Sequence, residues 1–228
     1  MDKSALLLGI DTCGPSGSVA LGRLAAGEVE ILGQIELEGR SYSATLVAAV
    51  GEVLAQAGTK LSLLHAMVAV NGPGSFTGVR VGLSAVKGLA EVAQIPVVAV
   101  SRLEVLAKKA GVASSALDAH RHEVFFRVNR PNEEPKELLA GAAELAAIVP
   151  LSRIAVCDDA AVQLLASAWP TAELVRVPAP TAADALILCA SRVTAGQSVD
   201  VALLDGHYLR RSDAEIFGEV AAATSDHP

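Results

Sequence analysis

The chain has 228 residues, 52% of them apolar but only 3% aromatic, and a net charge of −7. This length suits one large domain or two small ones with a sizeable core, and the composition builds that core from Ala, Val, Leu and Ile. The acidic balance argues against tight, direct DNA or RNA binding, which needs clustered Lys and Arg, and no apolar run approaches the ~20 residues that cross a bilayer.

Residues 1–4 lack the basic region of a secretory leader, and residues 5–10 are too short for its apolar core. The three cysteines, Cys13, Cys157 and Cys189, show no paired spacing. Both features lead to an expected cytoplasmic location. Ala5-Leu-Leu-Leu-Gly-Ile10 reads as a buried strand, Asp11-Thr-Cys-Gly-Pro-Ser-Gly17 as a turn, and 18–21 and 28–37 as two more strands. Over 41–57, Leu46, Val50, Val53 and Ala57 share one helical face, and Gly58 is a stop. A strand at 66–70 leads into Asn71-Gly-Pro-Gly-Ser-Phe-Thr-Gly-Val-Arg-Val-Gly82, which opens a helix over 76–93. Gly72 and Gly74 are read as allowing backbone angles closed to other residues, with Pro73 stiffening the turn. Ser75 is read as the helix N-cap. A strand at 96–100 and a helix from Ser101 to 110 follow.

The second half repeats the style. Strands at 115–118 and 123–128 form a hairpin, and Pro131-Asn-Glu-Glu-Pro135 is a polar break. A strand at 153–157, a helix at 159–167, a strand at 173–177 and a helix at 181–194 come next, with Gly196 as a stop. The tail beyond 217 has no period and is expected to fray. Hairpin strands followed by alternating strands and helices, done twice, predict an α/β fold of two related lobes. The expected division is 1–105 and 106–228.

Several residue groups carry chemical readings. Asp11 and Thr12, with the turn behind them, match the way actin-like ATPases hold nucleotide phosphates between two strands. They equally match a plain hairpin turn in which Asp11 bonds its own backbone. Asp118 stands at a strand end where a second phosphate-binding Asp would stand, but Ala119 follows it in place of glycine. The glycine run is no P-loop, because no Gly-Lys-Ser/Thr follows it. Gly78, Gly82 and Ala85 instead make a slim helix face that lets another backbone approach, beside an apolar stripe of Val79, Leu83 and Val86. Helix 41–57 is apolar over more than one face, which leaves surface for a partner. His120-Arg-His122 places two imidazoles on one face if the segment is a strand, yet no third ligand is evident and no metal site is expected. Ser16, Ser75 and Thr77 lack a Gly-x-Ser-x-Gly setting for a nucleophile.

The segment Asn71-Gly-Pro-Gly-Ser-Phe-Thr-Gly-Val-Arg-Val-Gly-Leu-Ser-Ala-Val-Lys-Gly-Leu-Ala90 resembles the hallmark of the bacterial TsaB (YeaZ) family. Gly9-Ile-Asp-Thr12, Ser18-Val-Ala-Leu21, Ser41-Tyr-Ser43, Pro96-Val-Val-Ala-Val-Ser-Arg-Leu-Glu104, Leu117-Asp-Ala119 and Tyr208-Leu-Arg210 follow in the family's order. The resemblance covers 5–127 well and the remainder loosely. It implies the actin-like ATPase (ASKHA, ribonuclease H-like) fold, with mixed sheets flanked by helices. It also implies a non-catalytic scaffold subunit in the complex that forms N6-threonylcarbamoyladenosine at position 37 of tRNA. In that complex the subunit pairs with TsaD, which does the chemistry, and the ATPase TsaE joins them. Alone, such chains form homodimers through a similar surface, and tRNA is met only through the partner, with no membrane and no DNA. The expected docking surface is the outer face of helices 41–57 and 76–93, with Leu46, Val50, Val53, Ser75, Thr77, Gly78, Arg80, Gly82, Leu83 and Val86. A bulky residue at Gly78 or Gly82 is then expected to abolish pairing while the isolated chain stays folded. No cofactor follows from the sequence, and ATP or ADP at the complex interface stays open. Asp11, Thr12 and Asp118 are degenerate phosphate-loop positions. Val156-Cys-Asp-Asp-Ala160 lacks the glycines of the family's second-lobe turn, and His120 replaces an expected Arg. The rival readings are an autonomous ATP-dependent phosphotransferase or ATPase using Asp11 and Asp118, and a metallopeptidase, which needs a metal.

Overall fold

The computed structural model describes residues 4–38 and 41–210. The tail beyond 217 lies outside them. The first sheet is built from β1 (Ala5–Asp11), β2 (Ser16–Ala25), β3 (Glu28–Glu38), β4 (Ala66–Val70) and β5 (Val97–Val100), in the order β3-β2-β1-β4-β5. The first three strands pair antiparallel, and β1, β4 and β5 run parallel. The second sheet uses β6 (Ser114–Asp118), β7 (Val124–Val128), β8 (Lys136–Ala140), β9 (Arg153–Val156) and β10 (Glu173–Arg176), in the order β10-β9-β6-β7-β8. Counted within each half, both sheets have the same strand order and the same pairing sense. The fold is α/β and actin-like, with two related lobes of mixed sheet flanked by helices.

Side-chain pattern explains the elements. All five residues of β4 are buried, as a parallel strand covered on both faces requires. The helices α1 (Tyr42–Gln56) and α2 (Phe76–Ala93) cover one face of the first sheet. Leu46, Val50 and Val53 of α1 point into that core, and Gly33 of β3 leaves room for Val53. The Ser75 hydroxyl accepts from the Gly78 amide at 3.3 Å, so it caps α2 as read from sequence. Helix α3 (Arg102–Lys109) lies between the lobes. Its Val105 joins the first core, while Leu103 and Leu106 pack with Leu117 and Phe125 of the second sheet. No helix among the described residues is long and apolar enough to cross a membrane.

The packing differs from the expected division in one respect. Helices α4 (Ala142–Ala147) and α5 (Asp159–Ala168) serve the second sheet, but α6 (Ala182–Thr194) returns to the first. Its Ala182, Ala185, Leu186 and Cys189 are buried in the first core, on the face opposite α1 and α2. Gly9 and Gly22 make this possible: a Cβ on Gly9 would lie 2.8 Å from the Ala182 carbonyl oxygen. A cut at 105/106 therefore divides α3 and strands α6 from its sheet. The strand β8 and helix α4 were not read from sequence at all.

Candidate functional site in the interlobe cleft

A cleft of about 870 Å³ lies where the β1–β2 turn faces the end of β6. Asp11 and Asp118 both come to this region, as the actin-like reading requires, but their atoms are committed elsewhere. Asp11 is 1% exposed. Its Oδ1 accepts from the Cys13 amide at 2.8 Å, and its Oδ2 is paired with Arg102 Nε at 3.2 Å. The Thr12 hydroxyl donates to the Gly78 carbonyl at 2.7 Å. Asp118 accepts from the His120 amide at 2.7 Å and pairs with His120 Nδ1 at 2.9 Å. The plain-turn reading of Asp11 is correct for Oδ1, and the arginine was not foreseen.

The rest of the cleft follows from local sequence. Tyr42 sends its hydroxyl to the Gly14 carbonyl at 2.8 Å, and burial with the nearby Asp11 charge pushes its pKa up to about 12. Asp158 caps α5 through Oδ1, at 2.7 Å from the Ala161 amide, and accepts the Asp118 amide on Oδ2 at 3.0 Å. Where the family's glycine turn was expected, a carboxylate thus ties β6 to α5. His120, Arg121 and His122 adopt φ of 59°, 57° and 60°, a left-handed turn costing about 1–2 kcal/mol per residue. The two histidines therefore do not alternate along a strand, which removes the geometric basis of the His-x-His reading. Among the described residues no group of three His, Cys, Asp or Glu is placed to hold a metal. Arg210 braces this turn through Glu123.

Cys157 also lines the cleft, and burial pushes its thiol up to about 11. At pH 8 only roughly 1 in 1,000 such thiols is ionised. Alkylation of Cys157 by iodoacetamide is expected to run at least about tenfold slower than for free cysteine at pH 8, since the smaller thiolate fraction outweighs the greater nucleophilicity of a more basic thiolate, and still to climb between pH 9 and 10. Peptide-level mass spectrometry reads this; a plateau near pH 9 contradicts it.

The glycines of the hallmark segment serve this site rather than an outer surface. A Cβ on Gly74 would sit 2.1 Å from the Cys13 carbonyl oxygen, one on Gly78 2.0 Å from that of Thr12, and one on Gly82 2.2 Å from Thr12 Oγ1. Gly72 alone of the turn's two glycines needs a left-handed angle, with φ 115°. Gly74 is there for space. The residues expected on the docking surface divide accordingly. Leu46, Val50, Val53, Gly78, Gly82, Leu83 and Val86 are buried in their own lobe, because the apolar stripe that suggested a partner is the stripe that covers the sheet. Ser75, Thr77 and Arg80 are exposed. Arg80 lies 4.1 Å over the Phe76 ring, which in turn stacks on Tyr208 at 4.5 Å.

The fold has close counterparts. A Pseudomonas aeruginosa protein described as similar to the peptidase YeaZ superposes with a TM-score of 0.74 at 28% identity, covering 90% of this chain and all of that one. Component A of the (R)-2-hydroxyglutaryl-CoA dehydratase of Acidaminococcus fermentans shares the fold alone, at a TM-score of 0.52 and 12% identity over 83% of this chain and 99% of its own. The tRNA threonylcarbamoyladenosine biosynthesis protein TsaB of Haemophilus influenzae is 37% identical over 130 residues, 54% of this chain and 53% of that protein. A family model described as TsaD, tRNA N6-adenosine threonylcarbamoyltransferase, matches residues 32–148, which is 117 of 228. The chain belongs to the TsaB (YeaZ) family. The aligned region spans about half the length of the curated TsaB relatives. Residues 32–148, matched by the family model, contain the whole of α1 and α2, so the family match and the tight turn coincide.

The outer face of α1 and α2 in this TsaB-family chain keeps Thr77 and Arg80 of the expected set and is otherwise made of residues that sequence reasoning passed over. On α1 they are Ala44, Val47, Ala48, Gly51 and Ala55, and on α2 Ser84, Gly88 and Val92. Val47 is 63% exposed and Val92 82%. Glu52 is the one charged residue of α1. The available signal was the complement of the buried stripe, read at the same helical period.

Proposed function

We propose that this chain is a non-catalytic, cytoplasmic partner subunit in the formation of N6-threonylcarbamoyladenosine in tRNA, pairing with a TsaD-type transferase through the exposed face of α1 and α2. The observation that carries the reading is a pair of glycines. A Cβ on Gly51 or on Gly88 would meet nothing within 4 Å, yet glycine inside an exposed helix costs about 1 kcal/mol relative to Ala. The chain's own fold gives no reason for either. A second protein whose backbone comes close to these helices gives one. The apolar, nearly uncharged character of the α1 outer face supports the same reading, since a solvated helix face normally carries charge. Support for the non-catalytic part comes from the commitment of Asp11, Thr12 and Asp118 to internal hydrogen bonds. The same face serves the homodimer of the isolated chain, a TsaE-type ATPase joins the heterodimer, and tRNA contacts fall to the transferase.

Gly51→Arg and Gly88→Arg separate the chain's fold from its docking. Each is expected to leave the melting temperature unchanged or raised, because the helix gains propensity and nothing is displaced. Each is expected to weaken the complex with the same organism's TsaD-type protein by at least about 30-fold, or about 2 kcal/mol, because a charge is buried without a partner. Titration calorimetry of the purified pair measures both. Unchanged affinity in both variants would rule out this face. Threonylcarbamoyl transfer to tRNA by the isolated chain would rule out the non-catalytic assignment.

A further inference from the structure

Arg102 has more donors than partners. Its side chain is 6% exposed, and its Nε reaches Asp11 at 3.2 Å. Neither terminal nitrogen has a hydrogen-bond partner among the described residues. They are not sealed from the surface, because among the described residues Thr59 Oγ1 is the one buried side-chain polar atom without a partner. They open into the cleft, which Arg102 lines. The neighbouring turn packs closely on one of them: a Cβ on Gly14 would lie 2.3 Å from Nη2, so a larger residue there would crowd the guanidinium and narrow its opening to the cleft. The N-terminal end of α2, at Ser75 and Phe76, faces the same space and adds its positive dipole end. Asp11 carries the opposite charge, but its Oδ1 is engaged by the Cys13 amide and its Oδ2 reaches only Nε, so the terminal nitrogens keep their donors. Leu117, Ala119, Phe125 and Leu209 form an apolar wall. Asp118 and Asp158 also border the cleft, as do Arg121 and Arg210, so the acidic and basic side chains around its rim balance and Arg102 is the cation set deepest in it. The volume of about 870 Å³ is that of a small-molecule site.

We propose that the cleft binds a small organic anion with one charged group, a carboxylate or a phosphate, held on the terminal nitrogens of Arg102, with an apolar body against Leu117, Phe125 and Leu209. A guanidinium fork matches either oxyanion through parallel N–H donors, and the apolar wall supplies affinity that a bare ion lacks. This inference does not rest on the docking face, and its readout needs no partner protein.

Calorimetry of the full chain with four probes tests it: acetate, benzoate, inorganic phosphate and phenyl phosphate. One aromatic probe is expected to bind at least about tenfold tighter than its bare counterpart. Tighter benzoate identifies a carboxylate ligand, and tighter phenyl phosphate a phosphate ester. The Asp11→Asn/Arg102→Met double variant, which removes the ion pair as a unit, is expected to lose binding at least about tenfold, and so is Leu209→Asp. If the double variant does not fold, Leu209→Asp decides alone. No binding of any probe at about 10 mM, no gain from the aromatic ring, or unchanged affinity in Leu209→Asp overturns the proposal.

Discussion

Gly78→Ala is expected to destabilise the isolated chain by about 3 kcal/mol or more, lowering its melting temperature by roughly 6–12 °C. Two effects oppose each other. Alanine is worth about 1 kcal/mol over glycine inside a helix. Against this, the new methyl would stand 2.0 Å from the Thr12 carbonyl oxygen, a backbone atom at the start of the turn that leaves β1. Backbone cannot swing aside as a long side chain can, so either α2 lifts off the sheet or the β1–β2 turn moves, and the clash wins. Gly82→Ala is milder, about 1–3 kcal/mol, because it meets the Thr12 hydroxyl, a rotatable group 2.2 Å away. Relieving that contact breaks the buried bond from Thr12 Oγ1 to the Gly78 carbonyl. Thermal unfolding followed by circular dichroism reads both. A Gly78→Ala variant that melts with the parent chain would show that α2 does not press on Thr12. This expectation replaces the one drawn from sequence, in which the variants lose pairing and keep the fold.

Arg102→Met should cost about 3–5 kcal/mol, because it leaves the Asp11 carboxylate buried with no counter-charge. The double variant Asp11→Asn/Arg102→Met should recover much of the loss. Desolvation of two ions is then no longer required, and the asparagine oxygen can still accept from the Cys13 amide. The expected pattern in urea unfolding is a single variant far below the parent and a double variant between them. That amounts to a coupling energy of about 2 kcal/mol or more between the two positions. Additive losses would mean that Arg102 acts through its aliphatic stem alone. The pair bridges β1 and the first turn of α3, so its loss should also loosen the way the lobes meet.

Much of this architecture was legible because the periods are clean. Ala66–Val70 and Phe76–Ala93 match the residues read from sequence, as apolar runs bounded by Gly, Pro and Ser leave little choice of boundary. The strand Lys136–Ala140 escaped notice because it is a half-buried edge without alternation, placed after a Pro-rich break. The destination of Ala182–Thr194 was not legible either. Its stripe says that one face is covered, and nothing local says by which sheet. The same limit explains the docking residues: Gly78 and Gly82 announced a close approach, and the approaching backbone was their own Thr12. Arg102 did leave a trace. A cation in the first turn of a helix opposes the helix dipole, so a buried carboxylate such as Asp11 should have been sought for it.

The return of α6 governs the order in which this protein can be made. The first sheet is complete in strands once residue 100 has been synthesised, but its second face stays bare until residue 194 follows. At a ribosomal elongation pace of about 5–20 residues per second, that interval is roughly 5–20 seconds. Throughout it the surface around Gly9 and Gly22 waits for Leu186. A nascent chain arrested before the last helix therefore presents an apolar sheet face to water rather than half a finished molecule.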